Sequence, residues 1–287
     1  LSFNTNNIGA QMFKIVKRDM IVPNIHLMEV QAPEVAEQVQ PGQFVIVRGA
    51  EGGERIPLSI ADWNREAGTV TVVFLEVGVS TGILARLKAG DSIPTLAGPL
   101  GKPTAITNIG SVLCIGGCYG IGSVLPVARA FREAGSEVTV VLEARSRYLV
   151  YWEDRLKALS KRLIIFTRDG SSGYRGHVTG LPGVLSGHGI APAQVVVNGC
   201  TFLMERCSAA LAPLGVPITV SLNPIMIDGT GMCGVCRVTV AGQMKFACVD
   251  GPDFDGRQVD WQELLSRRKQ YMREEAYLCH SAGCGRA

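Results

Sequence analysis

The segment that most restricts the fold runs from Ser111 to Ala144. An apolar run, SVLCIGG, meets the loop Gly116-Gly117-Cys118-Tyr119-Gly120-Ile121-Gly122, a helical stretch VLPVARAFREAG stops at Gly135, and a second β-rich run, EVTVVLEA, follows. Strand, glycine loop, helix and strand in that order make two parallel strands joined by a crossover helix, the unit of open α/β sheets. The rhythm continues with YWEDRLKALSKR as a helix, LIIFTRD, QVVVNGC and PITVSLN as buried strands, and MERCSAALAPLG as a helix between the last two. An open, largely parallel α/β sheet is expected.

At a strand-to-helix turn, glycines at 116, 117, 120 and 122 let backbone N–H groups and the helix N-terminus approach a pyrophosphate. The plain alternative is a tight turn that needs glycine for packing alone. Glu143 closes the next strand, 21 residues beyond Gly122, where a carboxylate accepts from a ribose hydroxyl and favours NAD(H). Arg145 and Ser146 point the other way, because a guanidinium and a hydroxyl there suit a 2′-phosphate. Both nucleotides stay open.

Ahead of this sheet the pattern is different. FKIVKRDMI, IHLMEVQA, QFVIVRG, RIPLSIAD and TVTVVFLEV are short β-rich runs broken at Pro23, Pro41-Gly42, Gly52-Gly53 and Ala67-Gly68. They predict a small antiparallel β-barrel, with STGILARLK (residues 80–88) as its one helical piece.

With 287 residues the chain has room for two domains and a substantial core, and 47% apolar against 18% charged residues excludes disorder over most of it. A net charge of +3 with no long basic run leaves no footprint for nucleic acid. The uncharged stretches 103–128 and 207–227 are interrupted by glycine and proline, so no membrane span is expected. The polar LSFNTNNIGAQ ahead of Met12 reads as an extension outside the fold. His26, His177, His188 and His280 are isolated and read as ordinary surface or core residues.

Nine cysteines, an odd number without a secretory signal, point to a reducing compartment and a cytoplasmic setting, where clustered thiols bind metal. Cys114 and Cys207 sit in apolar patterns and read as buried. The cluster is Asp228-Gly-Thr-Gly-Met-Cys233-Gly-Val-Cys236, with Cys248 after eleven intervening residues. Plant-type ferredoxins hold a [2Fe–2S] cluster with C-x4-C-x2-C and a distant fourth cysteine, and here Asp228 holds the first position. Gly229, Gly231 and Gly234 suit a loop whose N–H groups face sulfide. A structural zinc site accepts the same ligand types, and Cys279 or Cys284 is an alternative fourth ligand. From Asp260 the chain reads as a charged, solvated helix, WQELLSRRKQYMREEAYL, with a small tail.

From Met12 to about Tyr271 the sequence resembles the ferredoxin-NADP reductase superfamily, in its iron–sulfur electron-transfer subunit branch. PGQFVIVR, ERIPLSIAD, the loop after VLCIGG, EARS, DGTGMCGVCRV and KFACVDGPDFDG carry the likeness. The branch includes the electron-transfer subunit of dihydroorotate dehydrogenase and the small subunit of NADH-dependent ferredoxin:NADP oxidoreductase, also described as a sulfide dehydrogenase subunit.

The resemblance implies an FAD-binding β-barrel over residues 12–107, an NAD(P)-binding α/β domain over 108–222, a [2Fe–2S] module over 223–260 and a C-terminal helix and tail over 261–287. It implies that Pro57, Leu58 and Ser59 line the flavin, that Phe74 and Leu75 lie beneath the FAD, and that Gly78, Ser80 and Thr81 form the turn at its pyrophosphate. Arg55 sits one residue before the usual motif arginine. Cys118 replaces a common glycine, and Gly122-Ser123 a common Ala-Pro. Asn198, Gly199, Cys200 and Met204 match the segment near the nicotinamide, with Asn198 where cysteine is usual. The implied protein is a flavin iron–sulfur oxidoreductase subunit that takes hydride from NAD(P)H and passes single electrons through the cluster. Its implied partner is a larger, glutamate-synthase-like flavin subunit. The alternatives are a dihydroorotate dehydrogenase partner or a non-redox, zinc-stabilised nucleotide-binding module.

Overall fold

The computed structural model describes residues 12–274 and Tyr277. Strands β1 (Phe13–Val22), β2 (Ile25–Gln31), β3 (Phe44–Arg48), β4 (Ile56–Asn64), β5 (Thr69–Leu75), β6 (Ser92–Ile93) and β7 (Thr95–Leu100) form one sheet in the order β6-β1-β2-β5-β4-β3-β7. Every neighbouring pair is antiparallel, and no ladder joins β6 to β7 among the described residues, so the sheet is a half-barrel. The two-residue period of β5 explains its unbroken apolar run. Val70, Val72 and Phe74 enter the barrel core, whereas Val73 points outward into a second core shared with Ala61 and Ile121.

Helix α1 (Pro33–Gln38) is a departure from the sequence reading, which expects one helical piece here; it starts on a proline and buries Val35 and Ala36. At six residues it is too short for its periodicity to stand out. The expected helix is α2 (Val79–Arg86).

The second sheet contains β8 (Ser111–Gly117), β9 (Glu137–Ala144), β10 (Arg162–Thr167), β11 (Tyr174–Arg175), β12 (Gln194–Asn198) and β13 (Ile218–Ser221), in the order β11-β10-β9-β8-β12-β13. All of these pairs are parallel. Helices α3 (Gly120–Glu133), α4 (Glu153–Leu159), α5 (Leu181–Gly187) and α6 (Thr201–Leu211) pack on it. Helix α3 begins inside the glycine loop, four residues before the expected Val124. Helix α5 escapes the pattern because Gly183 and Gly187 dilute it. Cys114 and Cys207 are fully buried, as expected.

After β13 the chain crosses to the half-barrel and returns. Strands β14 (Arg237–Val240) and β15 (Gln243–Phe246) make a hairpin whose turn residues, Ala241 and Gly242, both have positive φ (52° and 72°). Strand β16 (Asp253–Asp255) then joins β13 antiparallel, stitching this module to the edge of the parallel sheet. Helix α7 (Trp261–Arg268) starts where the Asp260 carboxylate accepts the Glu263 amide at 2.9 Å, and it buries Leu264. It is shorter than the expected charged helix. Cys279, Cys284 and the segment ahead of Met12 lie outside the described residues. No described helix is long and apolar enough to cross a membrane.

Candidate cofactor and metal site

A cavity of about 710 Å³ lies where the half-barrel, the parallel sheet and the cysteine module meet. Pairing of β3 with β4 sets Phe44 opposite Ser59, and with the neighbouring β5 this makes the first wall: Arg55, Pro57, Leu58, Ser59, Phe74 and Leu75, with Thr81 of α2 beside them. The second wall comes from the carboxyl ends of β8 and β12, through Tyr119, Ser123, Asn198 and Gly199. Residues Asn223 to Ile227, which lead into the cysteine loop, make the third, and Arg268 and Tyr271 of the C-terminal segment close over it. A mostly apolar cleft with a few convergent polar groups at the carboxyl ends of parallel strands is where α/β proteins bind ligands.

The turn ahead of α2 is tightly built. The Thr81 hydroxyl oxygen accepts from the Val77 and Gly78 amides at 3.0 and 3.1 Å, while Ser80 donates to Glu54 at 2.8 Å. A Cβ added at Gly78 would meet open space, so a ligand can approach the backbone there.

The glycine loop is shaped by close packing. A Cβ on Gly120 would overlap the carbonyl oxygen of Asn198, one on Gly117 would come within 2.6 Å of Leu203, and one on Gly122 within 2.9 Å of Val73. Gly116 sits 3.0 Å from Val124 by the same measure. The residue with left-handed backbone is instead Cys118 (φ 55°), at the position where glycine is common. Tyr151, which the sequence reading did not single out, holds this loop. Its hydroxyl accepts from the Gly122 amide at 2.9 Å and meets the Cys118 carbonyl at 3.0 Å.

Not every expected residue reaches the cavity. Met204 is fully buried in the core under α6, and Cys200 caps that helix. Glu143 is 6% exposed, and its carboxylate accepts from the Val178 amide at 2.8 Å and faces Arg168 and His177, each at 3.3 Å. The oxygens expected to meet a ribose are engaged here by the segments that flank β11. At the same strand end Arg145 is exposed, and the Ser146 hydroxyl lies 3.1 Å from that of Ser171.

Other residues belong to the site without having been legible. The Asn223 amide nitrogen donates to Tyr119 Oη at 2.7 Å and to the Gly199 carbonyl at 3.0 Å. Its oxygen accepts from Thr201 at 3.1 Å and from Arg268 at 3.3 Å, and Arg268 also donates to the Thr201 hydroxyl. Arg267 donates to the Val235 carbonyl at 3.2 Å. The arginines expected on a solvated face thus tie α7 to the cavity. Burial pushes the Tyr119 phenol up from its ordinary value, so it stays neutral.

The cysteine loop packs against the half-barrel at Gly229, where a Cβ would come within 2.7 Å of Leu100. Gly229, Gly231 and Gly234 all have positive φ (83°, 86° and 67°), a path that glycine follows without strain. Cys236 and Cys248 are each 1% exposed with their sulfurs 3.2 Å apart, and Cys233 is exposed. Burial pushes the Cys248 thiol up to about 12, with the neighbouring Cys236 adding to it. Two adjacent buried thiols at this spacing suit ligation of one iron of a cluster, which would take them as thiolates. Among the described residues no group of three His, Cys, Asp or Glu side chains is gathered closely enough to hold one metal ion. Asp228 accepts from the Thr230 hydroxyl, from the Thr230 amide at 3.0 Å and from the Met232 amide at 3.3 Å. The Thr230 hydrogen bonds, helped by the nearby Arg55 charge, hold its carboxyl below the ordinary value.

Residues 223–260 match the iron–sulfur cluster binding domain of dihydroorotate dehydrogenase B. Over 267 residues the chain is 45% identical to the dihydroorotate dehydrogenase B (NAD(+)) electron transfer subunit homolog of Thermotoga maritima, covering 93% of this chain and 94% of the relative. It is 33% identical to the dihydroorotate dehydrogenase B (NAD(+)) electron transfer subunit of Desulforamulus reducens, over 87% and 97%. Among solved structures, a chain of the NADH-dependent reduced ferredoxin-NADP oxidoreductase superposes with a TM-score of 0.90 at 42% identity, covering 97% of this chain and all of that one. The ferredoxin reductase of carbazole 1,9a-dioxygenase shares the fold alone, with a TM-score of 0.61 at 19% identity. The three-walled cavity, the paired thiols beside it and these relatives together establish that the chain belongs to the family of dihydroorotate dehydrogenase B electron-transfer subunits, flavin and iron–sulfur oxidoreductase subunits with the ferredoxin-NADP reductase fold.

Proposed function

We propose that this chain is the small subunit of an NADH-dependent ferredoxin:NADP oxidoreductase type of complex, paired with a larger, glutamate-synthase-like flavin subunit. The observation that carries the reading is the single cavity whose walls are the flavin motif, the nucleotide loop and the approach to the cysteine loop. FAD bound there would exchange hydride with a nicotinamide and single electrons with a [2Fe–2S] centre. The residues supply the rest. Pro57, Leu58, Phe74 and Leu75 offer an apolar bed that excludes water, and Arg55 sets a positive charge at its edge. Gly78, Ser80 and Thr81 shape the turn for the pyrophosphate, and Gly116, Gly117, Gly120 and Gly122 bring α3 close to the sheet for the nucleotide. Arg145 and Ser146 would meet the adenine end, with Glu143 holding the neighbouring Arg168, His177 and Val178. Asn198 and Gly199, which line the cavity, would meet the nicotinamide, with Cys200 and Met204 behind them at the start of α6. Cys236 and Cys248 would hold one iron, and Asp228 and Cys233 the other.

A second reading, service to a dihydroorotate dehydrogenase catalytic subunit, is favoured by the match over residues 223–260. Asp228 in the first ligand position favours the ferredoxin:NADP type. Co-expression with each class of partner separates them. The expected complex contains the glutamate-synthase-like subunit and couples NADH to ferredoxin and NADP. Stable assembly with a dihydroorotate dehydrogenase and NAD-linked dihydroorotate oxidation would overturn it.

A further inference from the structure

Strand β4 carries Pro57, Leu58 and Ser59 in the cavity wall and, three residues on, Asp62, which meets the other sheet's helices instead. Asp62 Oδ1 accepts from Arg129 Nη1 of α3 at 2.9 Å, and Oδ2 accepts from Arg155 Nη2 of α4. Among the described residues these are the only ion pairs that join the half-barrel to the parallel-sheet domain. A β-bulge makes the arrangement possible. Ile60 pairs with Val72 and Asp62 with Thr71, so Ala61 is an extra residue in the ladder. Ala61 and Asp62 can then both turn toward α3, where a regular strand would send them to opposite faces. Ala61 is buried in the core shared with Val73 and Ile121. The two guanidinium groups also lie over aromatic rings, Arg129 at 5.1 Å from the centroid of Trp63 and Arg155 at 4.4 Å from that of Trp152. With the Asp62 side chain 20% exposed, this charge triad is only partly screened by water.

Each arginine stands on an element that shapes the nucleotide loop. Helix α3 begins inside the loop at Gly120. Trp152, with left-handed backbone (φ 55°), opens α4 directly after Tyr151, whose hydroxyl holds the Gly122 amide and the Cys118 carbonyl. One carboxylate therefore registers the flavin wall against the glycine loop. We propose that Asp62 is a positioning residue for hydride transfer, holding the nucleotide-binding domain against the flavin-binding wall through Arg129 and Arg155. The proposal rests on the reading that FAD lies along β4 and the nicotinamide nucleotide meets the glycine loop. In that transfer the hydride leaves the dinucleotide with two electrons, so the dinucleotide is oxidised and FAD is reduced. A misplacement of about 1 Å, set far from the chemistry, costs on the order of 100-fold in rate.

The test uses the FAD-loaded full chain and stopped-flow reduction by whichever of NADH and NADPH reduces it faster, together with the long-wavelength charge-transfer absorbance that reports nicotinamide stacked on flavin. In Asp62→Ala the limiting rate should fall about tenfold or more and the charge-transfer absorbance should weaken, while FAD content holds and the saturation constant stays within about threefold. Asp62→Asn, equal in size but without the charge, should lose about threefold or more in the same limiting rate. Because Asp62 acts through the two arginines, adding Asp62→Ala to the double variant Arg129→Ala/Arg155→Ala should lower the rate by less than about twofold further. A limiting rate unchanged in both Asp62 variants, loss of FAD from both, or fully additive losses in the combined variant overturns the proposal while leaving the cofactor sites as read. Failure of both NADH and NADPH to reduce the wild-type flavin overturns the underlying reading and the proposal with it.

Discussion

The Tyr151 hydroxyl lies between the Gly122 amide, 2.9 Å away, and the Cys118 carbonyl, 3.0 Å away, and so closes the glycine loop from below. Burial pushes its phenol well above the ordinary value, so the hydroxyl is a fixed donor and acceptor across the working pH range. Tyr151→Phe removes both bonds and leaves the Gly122 amide with the Tyr119 carbonyl alone, at 3.1 Å. The expected loss of stability is about 0.5–1.5 kcal/mol, read by denaturant titration. Nicotinamide affinity should fall with it, because the loop loses its support. An unchanged midpoint would mean that the loop is held by α3 alone.

Within that loop the geometry separates two neighbouring residues. Gly120→Ala would drive a methyl group into the Asn198 carbonyl and should cost about 3 kcal/mol or more, or block folding. Cys118→Gly should be neutral or stabilising by up to about 1 kcal/mol, since it releases a left-handed non-glycine residue. Thermal melts of the two variants should move in opposite directions or differ by many degrees.

Strand and helix order was legible because apolar β-branched runs alternate with helical ones, and because the glycine loop fixes where strand gives way to helix. The half-barrel motif residues were legible through resemblance, and most of them line one cavity. Asn223, Tyr151 and Arg268 were not, since each acts through partners far away in sequence: Tyr119, Gly122 and Thr201 respectively. A single polar residue after a strand has no local signature. The partners of Glu143 were hidden for the same reason. Its spacing fits a ribose acceptor, but the Val178 amide, 35 residues on, takes its carboxylate.

That difference is testable. If Glu143 is structural, Glu143→Gln should leave the ratio of NADH to NADPH saturation constants within about twofold while costing about 1–3 kcal/mol of stability through the Val178 and Arg168 contacts. Stopped-flow flavin reduction with each nucleotide provides the ratio. A shift of tenfold or more toward NADPH would restore Glu143 to the ribose.

Asp253 links the modules through pH. Its carboxylate accepts from the Thr104 hydroxyl at 2.6 Å, joining β16 to the segment after the half-barrel, and burial raises its carboxyl to about 6 against the opposing hydrogen bonds of Thr104 and Ser221. A carboxyl raised in the folded state binds its proton more readily there than in the unfolded chain. Its contribution is therefore most favourable below the ordinary carboxylate range and is lost as pH rises from about 4 to about 6. Asp253→Asn should flatten that part of the stability profile and stabilise the protein at pH 7 by an amount on the order of 2 kcal/mol. Denaturant midpoints measured from pH 4.5 to 7.5 would show a parallel slope in both proteins if Asp253 were not the group responsible.

The metal site makes the last prediction. The paired Cys236 and Cys248 are buried and adjacent, whereas Asp228 is half-buried and already oriented by Thr230 and Met232. Loss of one buried thiol should therefore abolish the centre, and Cys248→Ser is expected to yield protein without iron or sulfide. Asp228→Ala opens one iron position at the loop surface, so its centre should form and then decay, while most FAD is retained because the flavin-motif residues other than the nearby Arg55 stand on β4, β5 and the turn into α2. Asp228→Cys should keep iron and sulfide in full and shift the reduction potential and visible spectrum, since thiolate donates more charge to iron than carboxylate does. Cys279→Ser and Cys284→Ser should both retain the centre. Iron analysis, acid-labile sulfide and visible spectra distinguish every case. Zinc in place of iron in the wild-type protein would refute a [2Fe–2S] site, and iron lost from a tail variant but kept in Asp228→Ala would move the fourth ligand from Asp228 to that cysteine.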